Sequence, residues 1–318
     1  MVVIRRYHEL FKPVWDQFCA LAANSTFLHQ RNYMDYHSDR FTDHSLLFYE
    51  QEKLIAVLPC NEKEHCLHSH AGLTYGGLLT HHGTKTAHIL AVFTALLRYL
   101  RENNLDGLYY KPVPTIFHRH RLESDLYALS QNKALLAGRD ISSAIYLRGY
   151  RLPSKKMGGV RKALNSGIEI ITSTDFNSFF DIVNDGLQAK YGAMATHTAD
   201  EMKTLHTFFP DNIILQLAML NNRILGGALL YACGPTLHAQ YIGQTDTGMK
   251  HRCLDLLINH ITSTFTQFEW FNFGISSERK GQHTNIGLLN SKEEFMTSSL
   301  CFDYYYLAAN PDHSAQDH

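Results

Sequence analysis

Polar and charged side chains cluster between Phe271 and Phe295, where the chain reads FNFGISSERKGQHTNIGLLNSKEEF. An aromatic strand ends at Phe273, Gly274 lets the chain turn, and Ser276, Ser277, Glu278, Arg279, Lys280, Gln282, His283, Asn285, Lys292 and Glu293 follow. Loops that leave the end of a strand are common places for a site. A carboxylate such as Glu278, or an imidazole such as His283, could orient or deprotonate an attacking amine. A solvated surface loop carries the same residue types.

A second group lies upstream in Gln244-Thr245-Asp246-Thr247-Gly248-Met249-Lys250-His251-Arg252. It joins a strand to a helix. Backbone N–H groups at a helix start attract phosphate, and Lys250 and Arg252 would add charge. A plain strand-to-helix turn is the other reading. The first half has a matching stretch, Thr80-His81-His82-Gly83-Thr84-Lys85. A third group is the basic segment YRLPSKKMGGVRKALN, with five cations at Arg151, Lys155, Lys156, Arg161 and Lys162. It would suit an anionic ligand or a solvated helix face. The fourth is Gln188 to Gly192, where Tyr191 is a candidate substrate contact and Gly192 a helix C-cap.

The elements that must position these groups follow from periodicity. In the first half, a strand over Val2–Tyr7 precedes a helix over His8–Ala23 with Leu10, Phe11, Val14, Trp15, Phe18 and Leu21 on one face. A short helix covers Arg31–Ser38. Three strands are expected over Leu46–Tyr49, Ile55–Cys60 and Leu67–Leu79, then a helix over Lys85–Asn103 and a strand over Gly107–Lys111. In the second half, a strand over Gly167–Thr172 precedes a helix capped by Asp175 and a helix over Thr198–Phe208. A meander follows, broken at Asn221-Asn222-Arg223 and Gly234-Pro235. The loop at Thr245 leads into a helix with Leu254, Leu257, Ile258, Ile261 and Phe265 on one face, and then the strand Trp270–Phe273. The order repeats at an offset of about 165 residues, as in a tandem duplication. Helices along a mostly antiparallel sheet give an α+β class.

Composition narrows the function. The 318 residues carry a formal net charge of -1, which gives a general nucleic-acid coat no electrostatic support. No run is apolar enough to span a bilayer, and the N-terminus lacks a signal-peptide core. The six cysteines are scattered, as reduced core residues are. The 20 histidines include His68 and His70, His81-His82, and His118 and His120, but none lies in a metal-ligand spacing, so no metal is expected. The expected compartment is cytoplasmic.

Arg161-Lys162-Ala163 with Gly167-Ile168-Glu169-Ile170, then Tyr191-Gly192, Gly226-Gly227-Ala228 and Gln240-Tyr241, resemble the catalytic half of the FemAB-like acyltransferases. The strongest match is Phe271-Asn272-Phe273-Gly274 followed by Glu278, Gly281, Asn285, Gly287, Lys292 and Phe295. Over the first half the resemblance rests on element order and on Tyr75-Gly76-Gly77. That family is built from tandem domains of the GNAT fold. The resemblance therefore implies two GNAT-like domains, each a mostly antiparallel mixed sheet flanked by helices. The expected boundaries are 1–150 for a degenerate N-terminal domain, 151–310 for the domain carrying the site, and 311–318 for a disordered tail.

The resemblance implies an N-acyltransferase that moves an acyl group from acyl-CoA to an amine on an amino sugar, an amino acid or a cell-envelope precursor. Two alternatives stand beside it. One is an aminoacyl-tRNA-dependent transferase acting on a peptidoglycan precursor, with tRNA as partner. The other is a ligand-binding module with a decayed site. Glu278 and His283 are the implied catalytic residues. Gln244, Thr245, Thr247, Gly248, Lys250, His251 and Arg252 would hold the coenzyme A donor. Arg161, Tyr191, Gln240, Tyr241, Asn285 and Lys292 would shape the acceptor site. The loop departs from the family's Arg/Gln-x-x-Gly-x-Gly/Ala pattern, and Asp246 puts a negative charge where a pyrophosphate would lie.

Overall fold

The computed structural model describes residues 1–310, and the tail expected over 311–318 lies outside the described residues. The chain forms two compact units. One comprises Met1–Asp140, Ser277–His283 and the segment from Cys301 onward; the other comprises Ile141–Ser276 and Thr284–Leu300. The strand Leu135–Tyr146 thus begins in the first unit and ends in the second, past which the sequence-based boundary at Tyr150 falls.

In the first unit, Val2–Arg6, Leu46–Glu50, Lys53–Leu58 and Leu79–Thr80 form an antiparallel sheet in that spatial order. A further group runs from the C-terminal strand through Gly107–Tyr110, Cys66–His68 and Asn61–Lys63 to Thr42–Asp43. Cys66–His68 pairs in parallel with Gly107, Leu108 and Tyr109. A parallel pair needs a crossover, which contains the helix Thr86–Glu102. Its residues Ile89, Val92, Phe93, Leu96 and Leu100 pack with Leu46, Phe48, Leu58, Leu67 and Leu108 in one buried cluster.

The second unit repeats the plan. Glu169–Ser173, Ile213–Leu220, Arg223–Cys233 and Thr236–Gln244 form an antiparallel series. Its first corner is a two-residue turn in which Asn221 and Asn222 both take positive φ, 48° and 60°, as asparagine tolerates. Thr236–Gln244 pairs in parallel with Trp270–Ile275, and the connection contains the helix Cys253–Thr264. Trp270–Ile275 pairs on its other side with the end of Leu135–Tyr146. The helix Phe176–Tyr191 starts where Asp175 accepts from the Ser178 N–H at 3.1 Å and stops at left-handed Gly192. The expected duplication is therefore present in register, since each copy contains one three-residue parallel pair bridged by a helical crossover.

Four local expectations differ from the structure. The first helix begins at Lys12, after a 3-10 turn over Glu9–Phe11. Pro13 has no N–H to give and fits only a first turn, so Leu10 lies before the helix, and Leu21, its last residue, is exposed. The strand expected over Leu67–Leu79 ends at His68 and resumes only at Leu79. Gly76 explains this: a Cβ there would lie 1.8 Å from the Ser69 carbonyl oxygen, so the chain folds back on itself. The loop at Thr245 contains a short helix, Asp246–Lys250. The stretch after Gly281 is not a plain loop, because Asn285 caps a helix over Ile286–Glu293.

Burial sets a pH dependence. It pushes the imidazoles of His29 and His70 down to about 3 and that of His238 to about 4, so these rings stay neutral in the fold and take up protons only when it opens. Each contributes stability that is complete above its unfolded pKa near 6.5 and is lost as pH falls toward the folded value. Asp125, raised by burial to about 6, works the other way between about 4 and 6. These four groups alone take up about two protons on unfolding near pH 5, a slope of roughly 3 kcal/mol per pH unit, and His44, His68, His81, His118 and His260, also lowered by burial, act in the same sense. Urea melts should show stability falling from pH 7 to pH 5; equal midpoints at both would contradict this assignment.

Candidate active site

The parallel pairing in the second unit is short. It joins Thr236 to Trp270, Leu237 to Phe271 and His238 to Asn272, and then stops. Asn272, fully buried, sits at the stop. Its Nδ2 donates to Ser142 Oγ at 2.9 Å and to the Ser143 carbonyl at 3.2 Å. Its Oδ1 accepts from the Gly274 N–H at 3.1 Å and lies 2.8 Å from His238 Nδ1. With the amide nitrogen committed to two acceptors, Oδ1 must accept, so His238 donates from Nδ1 and is the neutral Nδ1–H tautomer. Gly274 then turns the chain away from its neighbour with φ 76°.

Beyond the stop, no described strand pairs with that edge of Ala239–Gln244. Exposure follows: Thr236 to Ala239 are buried, whereas Gln240 to Gln244 are all half-buried. On the other edge, Leu230 pairs with Ala239 and Leu229 with Tyr241, which leaves Gln240 as a bulged residue. A bulge re-aims a strand. The helix Phe176–Tyr191 lies over this stretch, with Val183 Cα 3.4 Å from where a Cβ on Gly243 would be. Tyr241 is anchored, its Oη 2.8 Å from His197 Nδ1 and its ring against Phe180.

The far strand end is held from below. Lys292, 8% exposed, donates from Nζ to the carbonyls of Gly274 at 3.0 Å and Ile275 at 2.7 Å. Burial pushes its pKa down to about 8. Asn285 bonds the Ser276 carbonyl through its N–H, caps its helix by accepting from the Leu288 N–H, and donates from Nδ2 to Tyr191 Oη at 3.0 Å. The structure therefore joins Tyr191 to Asn285 and bonds Asn285 and Lys292 to successive carbonyls of the strand end, Gly274 to Ser276, while Gln240, Tyr241 and Gln244 lie on the strand Thr236–Gln244.

The residues after Gln244 are engaged with one another. Thr245 Oγ1 accepts from the Gly248 N–H at 3.0 Å and donates to the Leu225 carbonyl at 3.1 Å. A Cβ on Gly248 would meet the Leu225 carbonyl oxygen at 2.2 Å, so this glycine serves close packing. His251 Nδ1 lies 2.9 Å from Ser166 Oγ. Arg252 pairs with buried Asp255 through Nε at 2.8 Å and Nη2 at 2.7 Å. Thr247, Lys250 and Arg161 are exposed.

Glu278 and His283 are exposed on the hairpin of Ser277–Glu278 with His283–Thr284, and both belong to the first unit. Among the described residues no group of His, Cys, Asp or Glu is arranged to hold a metal ion, and no helix is long and apolar enough to cross a membrane. Sequence reasoning gave no role to His238, Asn272, Ser142 or Ser143. The available signal was an asparagine between two phenylalanines in a strand otherwise apolar, which a buried strand tolerates only if its amide is fully bonded.

The first copy has the same parallel pair but a different continuation. Ser69 donates its N–H to the Tyr109 carbonyl at 2.9 Å, and Gly76 donates to the Lys111 carbonyl at 3.1 Å. The Lys111 N–H donates to Ser69 Oγ at 2.6 Å and the Leu78 N–H to Tyr110 Oη at 2.7 Å. The loop Ser69–Leu78, which continues the strand Cys66–His68, thus bonds on to Tyr109 and Lys111 past the parallel pair.

The fold is shared with several solved structures. FemX is similar over 99% of this chain and 100% of its own, with a TM-score of 0.68 and 10% identity. L-PGS from Bacillus licheniformis is similar over 84% of this chain and 83% of its own, at a TM-score of 0.56 and 10% identity. A tandem GNAT protein from the clavulanic acid biosynthesis pathway covers 98% of this chain and 99% of its own, at 0.53 and 10%. No protein-family model and no curated protein matches the chain. The chain thus has the FemAB-like, tandem GNAT fold that its sequence motifs resemble.

Asn272→Ala would strand the His238 and Gly274 donors and the Ser143 acceptor in a buried site. It should cost about 3 kcal/mol or more in urea unfolding. A loss below about 1 kcal/mol would show that the four bonds are not what holds the strands here.

Proposed function

We propose that the chain is a transferase that moves an acyl or aminoacyl group from an activated ester to an amine, and that the reaction takes place at the split edge of the second unit. The observation that supports this most is the end of strand pairing at His238 and Asn272, after which Gln240–Gln244 offers an unpaired, half-buried backbone edge. In the first copy the chain after the parallel pair bonds back to Tyr109 and Lys111 instead, which supports the reading of that copy as degenerate.

The chemistry follows from an edge of this kind. An amine must be neutral to attack. Its lone pair forms the new C–N bond to the acyl carbon, and negative charge develops on the carbonyl oxygen. A backbone N–H from Gln240 to Gly243, free of a partner strand, would donate to that oxygen as the charge grows. The tetrahedral intermediate then collapses with cleavage of the C–O or C–S bond, and the leaving group takes a proton. Tyr191, bonded to Asn285, and Lys292, bonded to the carbonyls of the turned strand, are the residues assigned to the acceptor. Amino sugars, amino acids and cell-envelope precursors are the acceptor classes to test, given the resemblance to FemAB-like enzymes.

The resemblance to FemAB-like enzymes, and not the geometry of the edge, makes Glu278 the candidate to take the proton from the amine; its carboxylate is exposed on a hairpin of the first unit. The experiment is a transfer assay on the whole chain with a panel of activated donors and amine acceptors, read by mass spectrometry. Glu278→Gln should lower kcat by about 100-fold with its melting temperature unchanged, which is the usual scale of general-base catalysis. An unchanged rate would remove Glu278 from the mechanism. No transfer from any donor would remove the function.

A further inference from the structure

The GNAT fold implies coenzyme A as the donor's carrier, held through its diphosphate at the start of the helix after the split strand. The residues present do not fit that group. Two helix starts follow Gln244, and each carries a carboxylate of the chain in its first turn.

At the helix Cys253–Thr264, Asp255 lies in the first turn and is 4% exposed. Its Oδ2 accepts from Arg252 Nε at 2.8 Å, and its Oδ1 lies 3.5 Å from Lys156 Nζ. Lys156 is itself buried and also pairs with Glu294. The helix Ser154–Asn165 can close over this carboxylate only because residue 159 is glycine; a Cβ there would meet Asp255 Oδ2 at 1.9 Å. A negative group therefore already occupies the end of the helix dipole, and the two cations nearest it are engaged by carboxylates. At the shorter turn Asp246–Lys250, Thr245 Oγ1 takes the Gly248 N–H, the Gly248 position is closed by the Leu225 carbonyl, and the Asp246 carboxylate is exposed in the first turn.

We infer that Asp255 is a built-in substitute for a donor phosphate, and that the acyl donor of this protein carries no diphosphate at this helix end. This rests on the transferase reading above and specifies its donor. A diphosphate brought to the same place would meet Asp246 on its approach and Asp255 behind it. Arg252 would have to leave its carboxylate to reach it. The donor is then recognised through its acyl group and the half-buried edge Gln240–Gln244, without a diphosphate at this helix end.

The test is calorimetric titration of the whole chain with desulfo-coenzyme A, which cannot react. The expected result is no saturable binding up to about 1 mM. Saturable one-to-one binding with a Kd below about 50 µM, lost in Arg252→Ala, would overturn the inference. Asp255→Asn, once its melting curve shows it folded, should gain at least about tenfold in affinity, because it releases Arg252 and removes the competing charge. A folded variant with no gain would overturn the role given to Asp255. If that variant does not fold, the wild-type titration decides alone. Absence of acyl transfer from every donor would remove the functional reading and leave this result in place, whereas tight desulfo-coenzyme A binding would do the reverse.

Discussion

The second unit depends on where its parallel pair stops, and one buried amide fixes that point. Asn272 ties its own strand to two others, through His238 and through Ser142 and Ser143, and bonds Gly274 two residues along. A buried asparagine offers two donors and two acceptor sites, and here all four are matched. Because every bond must form together, the strands cannot slide by one residue without stranding several groups. The same amide turns Gly274 away by accepting its N–H. The split is therefore a consequence of hydrogen-bond satisfaction in the core, not of a loose sheet edge.

The two copies show how little separates a closed edge from an open one. Each begins with three residues in parallel register. In the first, Ser69 and Gly76 bring the chain back, and the unpaired groups of Tyr109–Lys111 find backbone partners. In the second, a bulge at Gln240 and a continuous strand carry the chain past the split, so nothing local returns to cover it. An exposed, unpaired strand edge invites association with whatever can supply donors and acceptors. Half-burial under the helix Phe176–Tyr191 restricts that partner to something slender, such as an extended substrate.

Much of this architecture was legible in periodicity. The meander corners at Asn221-Asn222 and Gly234, the cap at Asp175 and the crossover helices all follow from local residue chemistry. What was not legible depended on close approach between distant segments. Nothing in the run Leu67–Leu79 announces that Gly76 will lie against the Ser69 carbonyl, so alternating apolar residues there read as a strand. The same holds for the site. Asn285, Tyr191 and Lys292 meet because a helix, a cap and a strand end converge. Thr245 to Arg252 reads as a phosphate cradle because sequence alone cannot show that Gly248 is closed by Leu225 or that Asp255 answers Arg252.

Lys292 shows how the fold and the chemistry share a residue. When the strand turns at Gly274, the carbonyls of Gly274 and Ile275 are left to find donors, and a buried unpaired carbonyl is costly. One ammonium group satisfies both, where backbone amides would have done so in an uninterrupted ladder. Keeping that ammonium buried is opposed by desolvation, which is why its pKa falls to about 8 rather than staying near that of a free lysine. Two of its three N–H groups are then fixed by structure, which leaves one direction for a substrate oxygen. Under the proposed reading, that third N–H is the one Lys292 would offer the acceptor, and it would do so without moving. The support of the split and the polarity of the site are thus properties of the same side chain.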